Sequence, residues 1–294
     1  MSEPTIVLFG TIEHPTLSVL YHYLVERGRR RVVYLANEAF PSQPGFDYEL
    51  SQNRESGRFI FPDQDPVEFD SIVSVGLDGY YVNPVGIESY SAQDQEYLQT
   101  ESWAALIAIF AALSRRCVVA NHILRRDDFN SRVAMLAYLH SHGVPIPATC
   151  VTSDPDEARQ FIQDHEGNVY HRPIAVRDLP FRAWSPQDDN RLDRLTLCPV
   201  HFEQCLEGEL ATVVRVGSNF LTEPAELELP QDLMANLAQA CDGLDLHLVE
   251  LGLRQTPEGG WACTSLYPFL RPRMLADKSA AEVVAEFFEE ASLP

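Results

Sequence analysis

The amino-acid sequence predicts an α/β protein whose first part is built on a parallel sheet and whose second part is α+β. Three observations lead there. The chain opens β-α-β, with two near-continuous apolar runs flanking a helix-spaced segment. A further apolar run, "FDSIVSVG" (69–76), supplies another strand of the same kind. From residue 127 the pattern changes to well-bounded helices alternating with short strands and hairpins.

Taken in order, "TIVLFG" (5–10) is apolar at nearly every position, as a strand buried on both faces requires. "HPTLSVLYHYLVERG" has helical spacing and stops at Gly28, and "RRVVYLA" (30–36) is the second buried strand. Residues 37–68 are rich in Pro, Gln, Asp and Ser and read as mostly loop. A long helix is expected over 98–115, including the apolar "WAALIAIFAAL" (103–113), followed by a strand at 117–121 and a first domain boundary near 120. "DDFNSRVAMLAYLHSHG" (127–143) has an acidic start, an apolar period of three to four and a glycine stop, which marks a helix. A Pro-x-Pro entry, a strand and a helix capped around Asp154 follow. "VYHRP" is a short strand ending in His171, Arg172 and Pro173. "FEQCLEG" (202–208) and "ATVVRVG" (211–217) read as paired strands, 230–244 as a helix, and 247–269 as a hairpin turning at Pro257-Glu258-Gly259. "SAAEVVAEFFEEA" closes the chain as a helix.

Composition excludes several classes. Across 294 residues, 43 acids against 22 bases give a formal charge of −21, which argues against a nucleic-acid backbone or an anionic membrane as partner and favours a cationic peptide or protein, or simply a solvated acidic surface. The longest apolar run is too short to span a bilayer. The N-terminus lacks a charged leader before an apolar stretch, so a cytoplasmic protein is expected. Six scattered cysteines, at least seven residues apart, exclude a CxxC motif. GxSxG, HExxH, Walker and GxGxxG patterns are all missing, and His140 and His142, two apart on a helix, point in different directions.

Four pieces in order carry a stronger signal. "NSRVAMLAYLHSHGVPIPATCVTSD", "VYHRP", "FEQCLEGELATVVRVG" and "TPEGGWACTSLYP" together resemble the ATP-grasp superfamily of carboxylate–amine ligases, which includes glutathione synthetase, D-alanine–D-alanine ligases and the graspetide peptide ligases. The resemblance implies a Rossmann-like pre-ATP-grasp domain (1–120) followed by a two-lobed α+β ATP-grasp domain, with a small lobe (121–200) and a C-terminal lobe (201–294). It implies ATP between the lobes, two lysines and a glycine-rich loop on the triphosphate, and carboxylates with an asparagine on two magnesium ions. It also implies a homodimer.

Position by position, the resemblance puts Arg132 and Arg172 where the lysines belong, and Glu203, Gln204 and Leu206 where the hinge contacts adenine and ribose. The segment after Pro173, "IAVRDLPFRAWSPQDDN", contains no glycine. Ser265, Tyr267 and Gly252 stand at the metal-ligand positions, Thr212 at an arginine position and Leu210 at an acidic one. The leading expectation is therefore a non-catalytic ATP-grasp protein, with no catalytic residues and no metal ligands. It would bind a peptide or partner subunit beside an active ligase; ATP can bind, while magnesium is doubtful. Two rivals stay open. One is an active ligase with metal on Glu250, Glu223 or Asp178 and phosphates on Arg132, Arg172 and Arg177; the other is an anion-binding module using the arginine-rich segment 172–194.

Overall fold

Alternation and burial in the computed structural model, which describes residues 3–11, 15–78, 86–121, 131–174, 181–268 and 270–291, explain most of these elements. Thr5–Gly10 (β1) is buried at all six positions. Pro15–Arg27 (α1) and Arg31–Ala36 (β2) complete the opening unit. The stretch expected to be loop instead contains Gly45–Ser51 (β3), Arg54–Ile60 (β4) and Val67–Glu68 (β5). These strands form a small antiparallel sheet, with Phe59 and Phe69 packed 5.3 Å apart beneath it. Its polar, Pro-rich sequence hides the pairing because only one face is buried. Ile72–Asp78 (β6), Ala92–Leu113 (α2) and Val118–Ala120 (β7) follow. Ser91 caps α2 by accepting from the Asp94 N–H, so this helix begins before the predicted residue 98.

Strands β1, β2, β6 and β7 form one parallel sheet in the order β2-β1-β6-β7. On one side lie α2 and the small antiparallel sheet, where Phe9 meets Phe40 and Phe110 edge to face.

The second half begins with Arg132–Ser141 (α3), Thr149–Thr152 (β8) and Pro155–Asp164 (α4); the acidic start predicted for α3 at Asp127 and Asp128 lies outside the described residues. Asp154 caps α4 by accepting from the Asp156 N–H, as expected. Val169–Arg172 (β9), Arg182–Ala183 (β10) and Val200–Gln204 (β11) join β8 in an antiparallel sheet ordered β10-β9-β11-β8. Leu210–Val216 (β12), Asn219–Glu223 (β13), Gln231–Gly243 (α5), Leu248–Gln255 (β14) and Trp261–Tyr267 (β15) follow. The four strands form a second antiparallel sheet, ordered β13-β12-β14-β15. The expected pairing of 202–208 with 211–217 is thus corrected: β11 and β12 belong to different sheets, and β12 pairs with β13 and β14. The chain between them reads as a hairpin turn but serves as a connector. Gly208 allows it, since a Cβ there would lie 2.1 Å from the Gln255 carbonyl oxygen.

Pro272–Ala276 (α6) and Lys278–Glu290 (α7) return the chain to its beginning. Helix α7 packs on the parallel sheet and on α1, burying Val284, Ala285 and Phe288 with Ile6, Leu8, Leu20 and Leu24. Arg27 holds Glu289 bidentately (2.9 and 2.8 Å), and Tyr23 donates to Glu282 at 2.7 Å. Gly76 makes the close approach: a Cβ there would lie 2.8 Å from the Leu8 side chain and 3.0 Å from the Phe288 ring, both fully buried. Gly76→Val should therefore cost about 1–3 kcal/mol of stability in chemical denaturation, because neither neighbour has room to yield.

Candidate functional site

Period-two alternation organises the site. Register pairs Arg172 with His201 and Tyr170 with Glu203, so these four side chains share one face of the β8–β11 sheet. His171 and Phe202, paired with each other, point to the opposite face, where Trp184 covers them. Helix α3 presents Arg132 from its first residue, capped by Ser131, which accepts from the Ala134 N–H. The end of β11 and the connector after it bring Gln204 and Leu206 to the same place, held as Gln204 N–H donates to Ala148 and Cys205 N–H to Asn168, each at 2.9 Å.

Arg132, Arg172, Glu203, Gln204 and Leu206, separated by up to 74 residues, line one cavity of about 370 Å³ between the two antiparallel sheets of the second half. The far wall carries Leu210, Arg254, Ser265 and Tyr267. Arg177 and Asp178, named as alternative ligands, lie outside the described residues, as do the other residues from 175 to 180 in the segment that replaces the glycine loop.

Two of the expected ligand-binding residues are engaged with each other. Arg132 Nε and Nη2 donate to the two Glu203 carboxylate oxygens at 2.9 and 2.7 Å, and both side chains are nearly fully buried. Arg132 and Arg172 both stack on the Phe181 ring, at 4.7 and 4.9 Å from its centre. His201 lies behind them, 1% exposed, and neither of its ring nitrogens hydrogen-bonds to a described residue. Burial and then the adjacent Arg132 and Arg172 charges pull its pKa down to about 4. Its Nε2 is 3.5 Å from Glu203, but that carboxylate is already bidentate with Arg132, so the neutral ring prevails. Sequence reasoning missed His201, Phe181 and Arg254; alternation in "VHFEQ" could have placed His201 beside Glu203.

Gly252, Ser265 and Tyr267 do come together. Gly252 pairs with Ser265 across β14 and β15, and Glu250 pairs with Tyr267. Ser265 already fills the space at 252, where a Cβ would lie 2.4 Å from its Oγ. Glu250, 1% exposed, accepts from Arg273 Nη2 at 3.2 Å and from the Arg271 backbone N–H at 3.3 Å, and forms an ion pair with Arg271 Nε at 2.9 Å. Arg273 also reaches Thr212 Oγ1 at 3.3 Å and lies 3.7 Å from Glu223. Magnesium requires several hard oxygens in near-octahedral array. A hydroxyl, a phenol, a glycine and a carboxylate held by two guanidinium groups do not fit it.

Two outcomes follow. Replacing either Arg132 or Glu203 alone leaves a buried charge unpaired, so Arg132→Met and Glu203→Leu should each cost about 3–5 kcal/mol in urea denaturation; the double variant should cost much less. The unfolded chain binds a proton at His201 near pH 6.5 while the folded one resists it down to about pH 4, so the folded state binds fewer protons between these values. Stability should thus fall as pH drops through that window, by up to about 1.4 kcal/mol per unit from this group, and His201→Gln should flatten the slope.

No known protein-family profile matches the sequence, and no curated protein matches it. Solved structures do. A RiPP-associated ATP-grasp ligase from Chryseobacterium gregarium, in complex with ADP and a leader and core peptide, superposes with a TM-score of 0.81 at 15% identity, over 97% of this chain and 96% of that one. The macrocyclase MdnC from Microcystis aeruginosa MRC, bound with the precursor peptide MdnA, gives 0.76 at 16% identity over 97% and 99%. The ATP-grasp ligase PsnB, complexed with minimal precursor, Mg and ADP, gives 0.75 at 16% over 96% and 97%. At such low identity the match speaks for the fold, and the fold of this chain is the ATP-grasp fold in the form those peptide ligases share.

Proposed function

We propose that this chain is a non-catalytic relative of the ATP-grasp peptide ligases that binds a peptide or a partner protein, working in the cytoplasm beside an active ligase. In this reading residues 1–120 are the Rossmann-like pre-ATP-grasp domain, 121–200 the small lobe and 201–294 the C-terminal lobe; the protein is a homodimer. Helix α7, packed on the first sheet, then ties the last lobe back to the first domain. The observation that supports the reading is the state of Glu250. This carboxylate pairs with Tyr267 across β14 and β15 and lies two residues from Gly252, and two arginines hold it while Gly252, Ser265 and Tyr267 offer no acid. Phosphoryl transfer needs its developing charge neutralised, and the chain has exchanged the groups that recruit a metal for groups that repel one.

Support for a peptide ligand comes from the structural neighbours, whose complexes contain leader, core or precursor peptides. The rival, an active ligase using Glu250 and Glu223, requires Arg271 and Arg273 to leave a buried carboxylate. The test is phosphate release from ATP with magnesium, in the presence of precursor peptides carrying acidic core residues, together with titration of those peptides. Peptide binding without phosphate release is expected; magnesium-dependent release coupled to loss of water from the peptide would overturn the proposal.

A further inference from the structure

The β8–β11 sheet has a second face, and that face carries a cavity of its own. Alternation sends Arg172 to one side of β9 and His171 to the other, and Phe202 of β11 follows His171. There the helical segment Pro186–Leu197 packs on the sheet through Leu192 and Leu195, and a cavity of about 220 Å³ remains beside them. Trp184, Leu192, Leu195, Val200 and Phe202 give it an apolar wall. His171, Trp184 and Phe202 meet edge to face or tilted, at 5.8 and 6.2 Å from ring to ring along the series His171–Trp184–Phe202.

The polar part of the lining is cationic, and its charge is largely unspent. Arg191 and Arg194 are both exposed, and a spacing of three stacks side chains on one side of a 3-10 helix. Arg191 comes no closer than 3.5 Å to Asp188, and Arg194 has no ion pair with a described residue. Asp188 is the one acid in the lining, and it is 3% exposed. Its carboxylate already accepts from Ser185 N–H at 3.2 Å, Ser185 Oγ at 2.8 Å and Arg182 at 3.1 Å. Asp193, on the same segment, is held by Arg159 at 2.7 Å. His171 stays neutral because burial lowers its pKa, and its Nε2 is buried without a hydrogen bond to a described residue. A hydrogen-bonding position of that ring is therefore unused beside the cavity.

From these features we infer that this second cavity binds a small aromatic carboxylic acid, its ring against Trp184 and Phe202 and its carboxylate on Arg191 and Arg194. The cavity is smaller than the roughly 300–1,000 Å³ of drug-sized sites, which limits the ligand to one ring and a short acidic arm. An added ring extends the aromatic series of the wall, and a guanidinium fork matches a carboxylate. The inference goes beyond the non-catalytic reading and does not depend on it, because the cavity lies across the sheet from Arg132, Arg172 and Glu203.

The test is titration of the full chain with 3-phenylpropionate and, separately, with its uncharged amide, followed by calorimetry and tryptophan fluorescence. Saturable binding of the acid with a Kd below about 1 mM is expected, with the amide at least about tenfold weaker. Trp184 stands in the wall, so the acid should shift emission in the wild type and not in Trp184→Phe. Arg191→Gln/Arg194→Gln, at exposed positions, should lower the affinity for the acid to that of the amide and leave the amide unaffected. A merely structural role for the arginines would not separate the two probes. Lack of saturable binding by the acid overturns the inference. So does equal binding of acid and amide, or a preference for the acid that survives the double variant, since the carboxylate then lies elsewhere. A peptide with an internal phenylalanine that binds here while the free acid does not assigns the cavity to a peptide and overturns it as well. All of these results leave the non-catalytic reading standing, because phosphate release tests that separately.

Discussion

The buried pair between Arg132 and Glu203 is the constraint around which the second half of the molecule is arranged. It joins the first residue of α3 to the penultimate residue of β11 by two charge-assisted hydrogen bonds, inside the cavity and away from water. Such a pair adds little net stability against a well-packed apolar alternative, but neither partner tolerates the loss of the other. Everything nearby follows from it. Phe181 covers the guanidinium, His201 is kept neutral by burial and then by the Arg132 and Arg172 charges, and Glu203 has both its oxygens engaged by Arg132.

A second arginine arrangement adjoins Tyr267, which lines the cavity. At Glu250 the acid is buried and its two arginines face outward, whereas at Glu203 both partners are buried. The two arrangements have one consequence in common. Carboxylates that could gather a metal ion are occupied by side chains the chain carries with it. Between β14 and β15, Gly252 and Ser265 interlock without an acid between them, next to a register shift at Gly252 and Leu253.

Much of the fold was legible because burial imposes simple patterns. The all-apolar β1, the capping aspartate of α4 and the β14–β15 hairpin with its glycine at positive φ each follow from local rules. The small sheet of β3, β4 and β5 was not legible, since its strands bury one face and their polar residues imitate a loop. The β11–β12 connector misled for a related reason: two apolar strands separated by a glycine look like a hairpin whether or not they pair. In the site, residue types and order located Arg132, Arg172, Glu203, Gln204 and Leu206, and all of them reach one cavity. Their mutual engagement was invisible, because pairing between residues 132 and 203 depends on how a helix and a strand meet.

The sequence by itself determined the inventory: glycine at 252, serine at 265, tyrosine at 267, arginine at 132 and 172, and the apolar strands and periodic helices that local patterns mark. Those properties reside in single side chains and in short periodicities. Tertiary structure decided what each charge does. Glu250 could have been a metal ligand until Arg271 and Arg273 were seen upon it, and Glu203 could have met a nucleotide until Arg132 took both its oxygens. A charge has no role until its neighbours are known, because burial and distance set whether it attracts a ligand or is already satisfied.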